Sequence, residues 1–175
     1  MANNKQRLEE TPPRTPATLP KNLTFQFRTL ADINEVVSYL SQWVADDDSL
    51  MLGLKELMIN AVEHGNLGIG FALKTKLLES GDWLEEIEHR LKKAENLSKF
   101  AHLEVQFKDG SIRVIVEDKG EGFNPGDYIA RKEGSNPPSN GRGLKLINNI
   151  AFDKVDFKKG GRRIEGLKRL AVKVN

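Results

Sequence analysis

Glu56, Asn60 and Glu63 recur at helical spacing in the run Glu56-Leu-Met-Ile-Asn60-Ala-Val-Glu63-His64-Gly65-Asn66. At 100° per residue the three fall within about 60° of one another, with Gly53 on the same stripe. The rest of the segment is apolar nearly all round (Leu50, Leu52, Leu54, Leu57, Met58, Ile59, Ala61, Val62), which predicts a buried helix over about Ser49 to His64. Burying a carboxylate or a carboxamide without a partner costs several kcal/mol. The polar seam is therefore either the solvent face of the helix or a ligand seam. In the second case the Asn60 side-chain oxygen suits a hard cation such as Mg²⁺, and Glu56 suits proton abstraction.

A second constellation is Asp118-Lys119-Gly120-Glu121-Gly122-Phe123, directly after the apolar run Ile112–Val116. An aspartate at a strand end followed by spaced glycines puts a carboxylate at the sheet edge and lets a ligand approach the backbone. A carboxylate only accepts hydrogen bonds, so it pairs with an exocyclic amine such as that of adenine. The alternative is an ordinary glycine-rich turn. A third constellation, Asn140-Gly141-Arg142-Gly143-Leu144, stands where a helix begins. Free amides and the positive helix end suit a phosphate there. The chain has neither the GxxxxGK[ST] of a P-loop nor a G-x-G-x-x-G after a first strand, so both common nucleotide folds lack support.

The elements that must position these residues follow from periodicity. Leu23, Phe25 and Phe27 alternate in a strand over 22–29, and Ile33, Val36, Val37, Leu40, Trp43 and Val44 mark an amphipathic helix over 31–46. The acidic cluster Asp46–Asp48 supplies the N-cap of the next helix. A short helix over Phe71–Leu78 stops at Gly81, and Asp82 with Glu85 reads as a capping box for a helix carrying Trp83, Leu84, Ile87, Leu91 and Ala94 on one face. Leu103, Val105 and Phe107, then Ile112, Val114 and Val116, flank Asp109-Gly110 as a hairpin. Residues 124–140 form a loop, functional or disordered by its length. A helix follows over Gly143–Ile150, then strands near Lys154–Lys158 and Arg163–Val174 around a Gly160-Gly161 turn. Helices preceding a mainly antiparallel sheet predict an α+β two-layer sandwich. Residues 1–20, with four prolines, read as a flexible tail before a domain over 21–175.

Composition narrows the function classes. The chain of 175 residues is long enough for one domain with a real core, and 38% hydrophobic with 30% charged residues excludes a wholly disordered chain and a membrane bundle. Net charge is +2 with both signs interleaved, which gives no case for nucleic acid or an anionic membrane. The absence of cysteine excludes disulfide scaffolds, cysteine nucleophiles and thiolate metal sites. His64, His89 and His102 are too widely spaced to suggest zinc; His64 is expected to be structural, and the other two exposed. The N-terminus lacks the apolar stretch of a secretory signal, so a cytoplasmic protein is expected. The cluster Lys158, Lys159, Arg162, Arg163, Lys168 and Arg169 is a solvated strand face, a docking patch for an acidic protein or, third, a nucleic-acid contact.

The order of the three constellations (E-x-x-x-N-A-x-x-H-G on a helix, D-x-G-x-G-F after a strand, a long loop, then G-x-G-L opening a helix) resembles the GHKL ATPases, the superfamily of gyrase, heat-shock chaperone, mismatch-repair and histidine-kinase ATP domains. The short box ending His64-Gly65-Asn66 and the compact size are similar to the anti-sigma-factor serine kinases, with related modules fused to response-regulator phosphatases. The resemblance spans roughly residues 22–175 and implies a Bergerat-type ATP-binding fold.

It further implies ATP and Mg²⁺ as cofactors, Asn60 on the metal, and Glu56 as the base that polarises the attacking hydroxyl or water. Asp118 would hold the adenine amino group, with Gly120 and Gly122 making room. Gly141 and Gly143 would cradle phosphates, with Arg142 adding charge and Leu144 closing the box, and residues 124–140 would be the ATP lid. The implied activity is serine phosphorylation of a STAS-domain anti-anti-sigma protein, with a sigma factor as a second partner and a homodimer as an expected assembly. Two features depart from the pattern. The turn before the last strand reads Gly160-Gly161-Arg162-Arg163, where relatives often place Thr or Ser to support the phosphate site. A helical insertion over about 70–98 separates the first box from the hairpin. The alternatives are an ATP- or ADP-binding switch module without catalysis, or a detached histidine-kinase ATP domain. The chain has no four-helix-bundle segment with a phosphorylatable histidine, against a complete histidine kinase.

Overall fold

The computed structural model describes residues 20–44, 47–123 and 147–170. Five strands form one antiparallel sheet: β1 (Asn22–Phe27), β2 (Ala101–Lys108), β3 (Ser111–Glu117), β4 (Lys154–Lys158) and β5 (Arg163–Arg169), in the spatial order β1-β2-β3-β5-β4. Four α-helices, α1 (Leu30–Ser41), α2 (Asp48–Asn60), α3 (Phe71–Ser80) and α4 (Trp83–Leu91), complete the described elements with short π and 3₁₀ segments. The architecture is the α+β two-layer sandwich that the pattern of helices and alternating strands predicts. No helix among the described residues is long and apolar enough to cross a membrane.

Alternation of apolar side chains puts one sheet face in the core. Leu103, Val105 and Phe107 of β2 and Ile112, Val114 and Val116 of β3 are buried beneath Leu50, Leu54, Leu57 and Met58 of α2 and Ile33, Val36 and Leu40 of α1. At the β2–β3 turn both Asp109 (φ 49°) and Gly110 (φ 70°) are left-handed, as a two-residue turn matched to strand twist requires. The opposite sheet face carries an ionic ladder. Glu165 of β5 takes Arg113 at 2.6 Å, Lys158 at 2.9 Å and Arg163 at 2.9 Å, and Glu117 takes Lys159 at 2.6 Å and Arg163 at 3.1 Å. Burial opposes ionisation of Glu165, but the hydrogen bonds from these three cations outweigh it and hold its carboxyl at about 2. Much of the C-terminal basic cluster is thus neutralised on a strand face.

The helix starts confirm most of the local chemistry. Asp47 caps α2 by accepting the Leu50 N–H at 3.0 Å. Thr29 and Asp32 form a reciprocal capping box on α1 that the sequence reading did not single out. The box expected at Asp82 and Glu85 does not form. Asp82 follows left-handed Gly81 and sits at φ −90°, ψ 3°, away from the extended backbone an N-cap needs, and its side chain caps nothing. The buried helix expected over Ser49–His64 also needs two corrections. Its α-helical part ends at Asn60 and Leu52 is 53% exposed. From Ala61 to Asn66 the chain widens into a π-helical segment.

In the insertion, Ile87 is buried in the main core, Trp83 and Leu91 pack against it, and Leu84 is half exposed. This segment is accordingly part of the domain body. His89 is exposed as expected, whereas His102 on β2 is half-buried. The Gly143–Ile150 helix survives in the described residues as a π segment over Ile147–Ala151. The tail to Leu19, the loop 124–140, the Gly141–Leu144 box and the last five residues lie outside the described residues.

Candidate nucleotide site

The sequence seam on α2 separates into four uses. Gly53 is a packing position: a Cβ there would meet the Ala151 Cβ at 2.1 Å, so the π segment Ile147–Ala151 can cross α2 closely. Glu56 is half-buried and stands one turn before Asn60. Asn60 lines a cavity of about 620 Å³. Glu63 leaves the seam altogether. It is fully buried, and its Oε2 accepts from Lys74 Nζ of α3 at 2.6 Å. That pair offsets the cost of enclosing a carboxylate, although Glu63 Oε1 is buried with no hydrogen-bond partner among the described residues.

The π segment turns the end of this helix toward the sheet. Single-turn π insertions concentrate at functional sites because they re-aim side chains without ending the helix. Here His64 Nδ1 meets the Ile69 carbonyl, which only accepts, so the neutral ring carries its proton on Nδ1. Its ring lies 4.5 Å from that of Phe71, and burial lowers its pKa, with the neighbouring Glu63 charge opposing. Asn66 is buried and accepts the Lys119 N–H at 2.8 Å through Oδ1. His64, Gly65 and Asn66 all line the cavity.

Asp118 leaves β3 into the same cavity. Its Oδ1 accepts the Gly120 N–H at 2.8 Å, and its own N–H donates to the Arg162 carbonyl at 3.0 Å. Burial pushes the carboxyl up to about 6, partly offset by the Gly120 N–H and the Arg162 charge. The glycines of this loop are required by close backbone approach. A Cβ on Gly120 would lie 2.2 Å from the Gly65 carbonyl oxygen, and one on Gly122 would lie 2.1 Å from that of Gly160. Phe123 closes the loop by donating its N–H to the Gly160 carbonyl at 2.8 Å and packing edge-on to Phe157. The Gly160-Gly161 turn is thus the seat of the Asp118 loop. Among the described residues the cavity lining includes Gly161 and Ile164 but neither Arg162 nor Arg163. Arg163 instead belongs to the outer ionic ladder.

The segment from α4 to β2 supplies the remaining wall. Arg90 of α4 donates to the Leu67 carbonyl at 2.8 Å and the Gly68 carbonyl at 3.2 Å while holding Glu86 at 2.6 Å. Lys93, Asn96 and Lys99 join it along the lining. The structure therefore brings together Asn60, Asp118, Gly120 and Gly122, leaves Glu56 outside the described lining, and says nothing of Gly141, Arg142, Gly143 and Leu144. Sequence reasoning quoted Gly65 and Asn66 without giving them a task. Their adjacency, a glycine then an amide at a helix end, is the signal that marked a backbone crossing.

A cavity of this size, apolar at Leu57, Ala61, Val116 and Ile164, with the Asp118 carboxylate and the Asn60 carboxamide among its polar lining groups, has the chemistry of a small-molecule site for a flat base bearing an amino group. An antiparallel sheet under helices, holding such a site between α2 and the end of β3, defines an ATP-binding two-layer sandwich. The model of the histidine kinase-like ATPase domain matches residues 26–165, and the chain belongs to that family. ATP binding is the property that membership implies. No curated protein matches the chain.

Proposed function

We propose that the protein is a Mg²⁺–ATP-dependent serine/threonine protein kinase of the anti-sigma-factor type, acting on a serine of a STAS-domain anti-anti-sigma protein and holding a sigma factor as an alternative partner. The observation that carries the reading is the meeting of Asn60 and Asp118 in one cavity from elements 58 residues apart in number, 118 minus 60. Asp118 would accept from the adenine amino group. The Asn60 side-chain oxygen is a hard donor of the kind Mg²⁺ takes. Among the described residues no three His, Asp or Glu converge, so most of the ion's ligands would be phosphate and water oxygens.

When bound, ATP supplies the γ-phosphoryl group and Mg²⁺ balances phosphate charge. This chain's part is positioning and proton transfer. Glu56, one turn from Asn60, takes the proton of the serine hydroxyl as its oxygen bonds to the γ-phosphorus. The bond from that phosphorus to the β–γ bridging oxygen breaks, and ADP leaves. Protein incubated with Mg²⁺–ATP and a STAS-domain substrate should yield acid-stable phosphoserine. Acid-labile phosphate would move the reading to a histidine-kinase ATP domain. A second reading, an ATP/ADP switch without transfer, is favoured by the position of Glu56 outside the described cavity lining. Calorimetry with and without Mg²⁺ finds binding under both readings, and only the kinase gives phosphoserine.

A further inference from the structure

We infer that Asn66 is the positioning residue that sets base selectivity, and that the α3–α4 insertion acts on the nucleotide site through it. The inference rests on the adenine-nucleotide reading of Asp118. Three hydrogen bonds carry it. Asn66 Oδ1 accepts the Lys119 N–H at 2.8 Å, one residue beyond Asp118. Asn66 Nδ2 donates to the Lys99 carbonyl at 3.2 Å, and Lys99 Nζ donates to the Asn66 carbonyl at 3.2 Å. One buried carboxamide thus spans the loop that presents Asp118 and the segment that closes the insertion.

The insertion is itself fixed on both sides of this link. Asn96, also buried, donates to the Arg90 carbonyl at 3.0 Å, and Arg90 grips the Leu67 and Gly68 carbonyls just beyond Asn66. Asn66 therefore sits in a frame with no slack, with Lys119 suspended from its oxygen. Asp118 cannot choose its own position, since its N–H is committed to the Arg162 carbonyl and its Oδ1 to Gly120. Its placement follows from where Lys119 and Gly120 are held. A carboxylate distinguishes a base that donates an amine from one that presents a carbonyl only when it is rigid. A loose loop retreats from the repelling carbonyl and loses the attraction of the amine. Asn66 and Lys99 supply that rigidity through the Lys119 N–H and their mutual hydrogen bonds.

The test compares ATP with inosine triphosphate, which carries a carbonyl oxygen where adenine carries its amine. For Asn66→Ala, ATP affinity should fall about tenfold while inosine triphosphate affinity stays within about twofold, the loss of one buried hydrogen bond read only through the amine. Asn66→Asp keeps an acceptor for the Lys119 N–H but loses the donor to the Lys99 carbonyl, so it should recover only part of the preference, and full recovery would overturn the role given to the insertion. Equal losses for both nucleotides would reduce Asn66 to a structural residue and overturn the inference. A readout on the unaltered protein needs neither ligand nor variant. The Lys119 amide should be strongly protected from hydrogen exchange, and free exchange there would overturn the inference whatever the variants do. If the protein binds no ATP, the nucleotide reading falls by itself, while exchange at Lys119 in the wild type and in Asn66→Ala still decides whether Asn66 holds the loop.

Discussion

Gly65 and Asp118 occupy the same few ångströms: a methyl group on Gly65 would sit 2.3 Å from the carboxyl carbon of Asp118. The two residues come from the end of the long central helix and the end of a central strand. Their contact fixes the depth of the carboxylate in the cavity, and the Gly120–Gly65 crossing fixes its angle. Gly65→Ala and Gly120→Ala should each abolish measurable ATP binding by calorimetry. Each should also lower stability by about 1–3 kcal/mol, the usual cost of forcing a methyl into packed structure.

Asp118 is held as a strained acid. Its folded pKa of about 6 lies above the ordinary aspartate value of 3.8, so the folded state binds its proton more tightly than the unfolded chain does. This group therefore makes the free protein less stable as pH rises between those two values. Asp118→Asn should raise the melting temperature near neutral pH, and the gain should vanish once pH falls below the lower value. The same variant should lose adenine recognition. A variant less stable than wild type at neutral pH would contradict the assignment.

Glu56 and Asn60 should separate in function. Glu56→Ala is expected to bind ATP like wild type and transfer no phosphate to a STAS-domain protein. Asn60→Ala should bind ATP with no dependence on Mg²⁺. Persistent transfer by Glu56→Ala would remove that residue from the chemistry.

The Glu63–Lys74 pair predicts an asymmetric thermodynamic cycle. Lys74→Met strands a fully buried carboxylate and should cost about 3–5 kcal/mol in denaturant unfolding. Glu63→Gln with Lys74→Met should recover most of that loss, because the charge needing a partner is gone. Additive losses would mean that the two side chains do not act together.

Glu165 predicts the response to acid. Its folded pKa of about 2 is below the ordinary glutamate value of 4.5, so its stabilising contribution is present above the higher value and is lost as pH falls through the lower. Glu165→Gln should flatten the acid limb of the stability curve. It should also leave Arg113, Lys158 and Arg163 repelling one another at neutral pH, a penalty that added salt relieves.

The sheet was legible because period-two alternation survives whatever packs above it: Leu103, Val105, Phe107 and their partners on β3 could face only one core. Asp47 as a cap and Asp109-Gly110 as a turn were legible because both act on backbone within a few residues. The seam on α2 was legible as a seam, but its division was not. Nothing in the spacing of Gly53, Glu56, Asn60 and Glu63 says that the first packs on Ala151 or that the last pairs with Lys74, 11 residues on. Asn66 reaches partners 33 and 53 residues away, beyond any helical or strand period. The π segment escaped because it differs from an α-helix by one residue in hydrogen-bond register rather than in composition. The position of Asp82, away from the extended backbone of an N-cap, follows the left-handed glycine before it, which the capping pattern did not weigh.

The seat of the Asp118 loop on the β4–β5 turn has a consequence for synthesis. Gly160 and Arg162 supply the carbonyls that receive Phe123 and Asp118, and β5 is the strand that pairs with β3. A growing chain whose β5 is still inside the ribosome has its central helix, its hairpin and its aspartate, yet no finished pocket. Nucleotide cannot template the early stages of folding; it can reward only a chain whose β5 has already arrived.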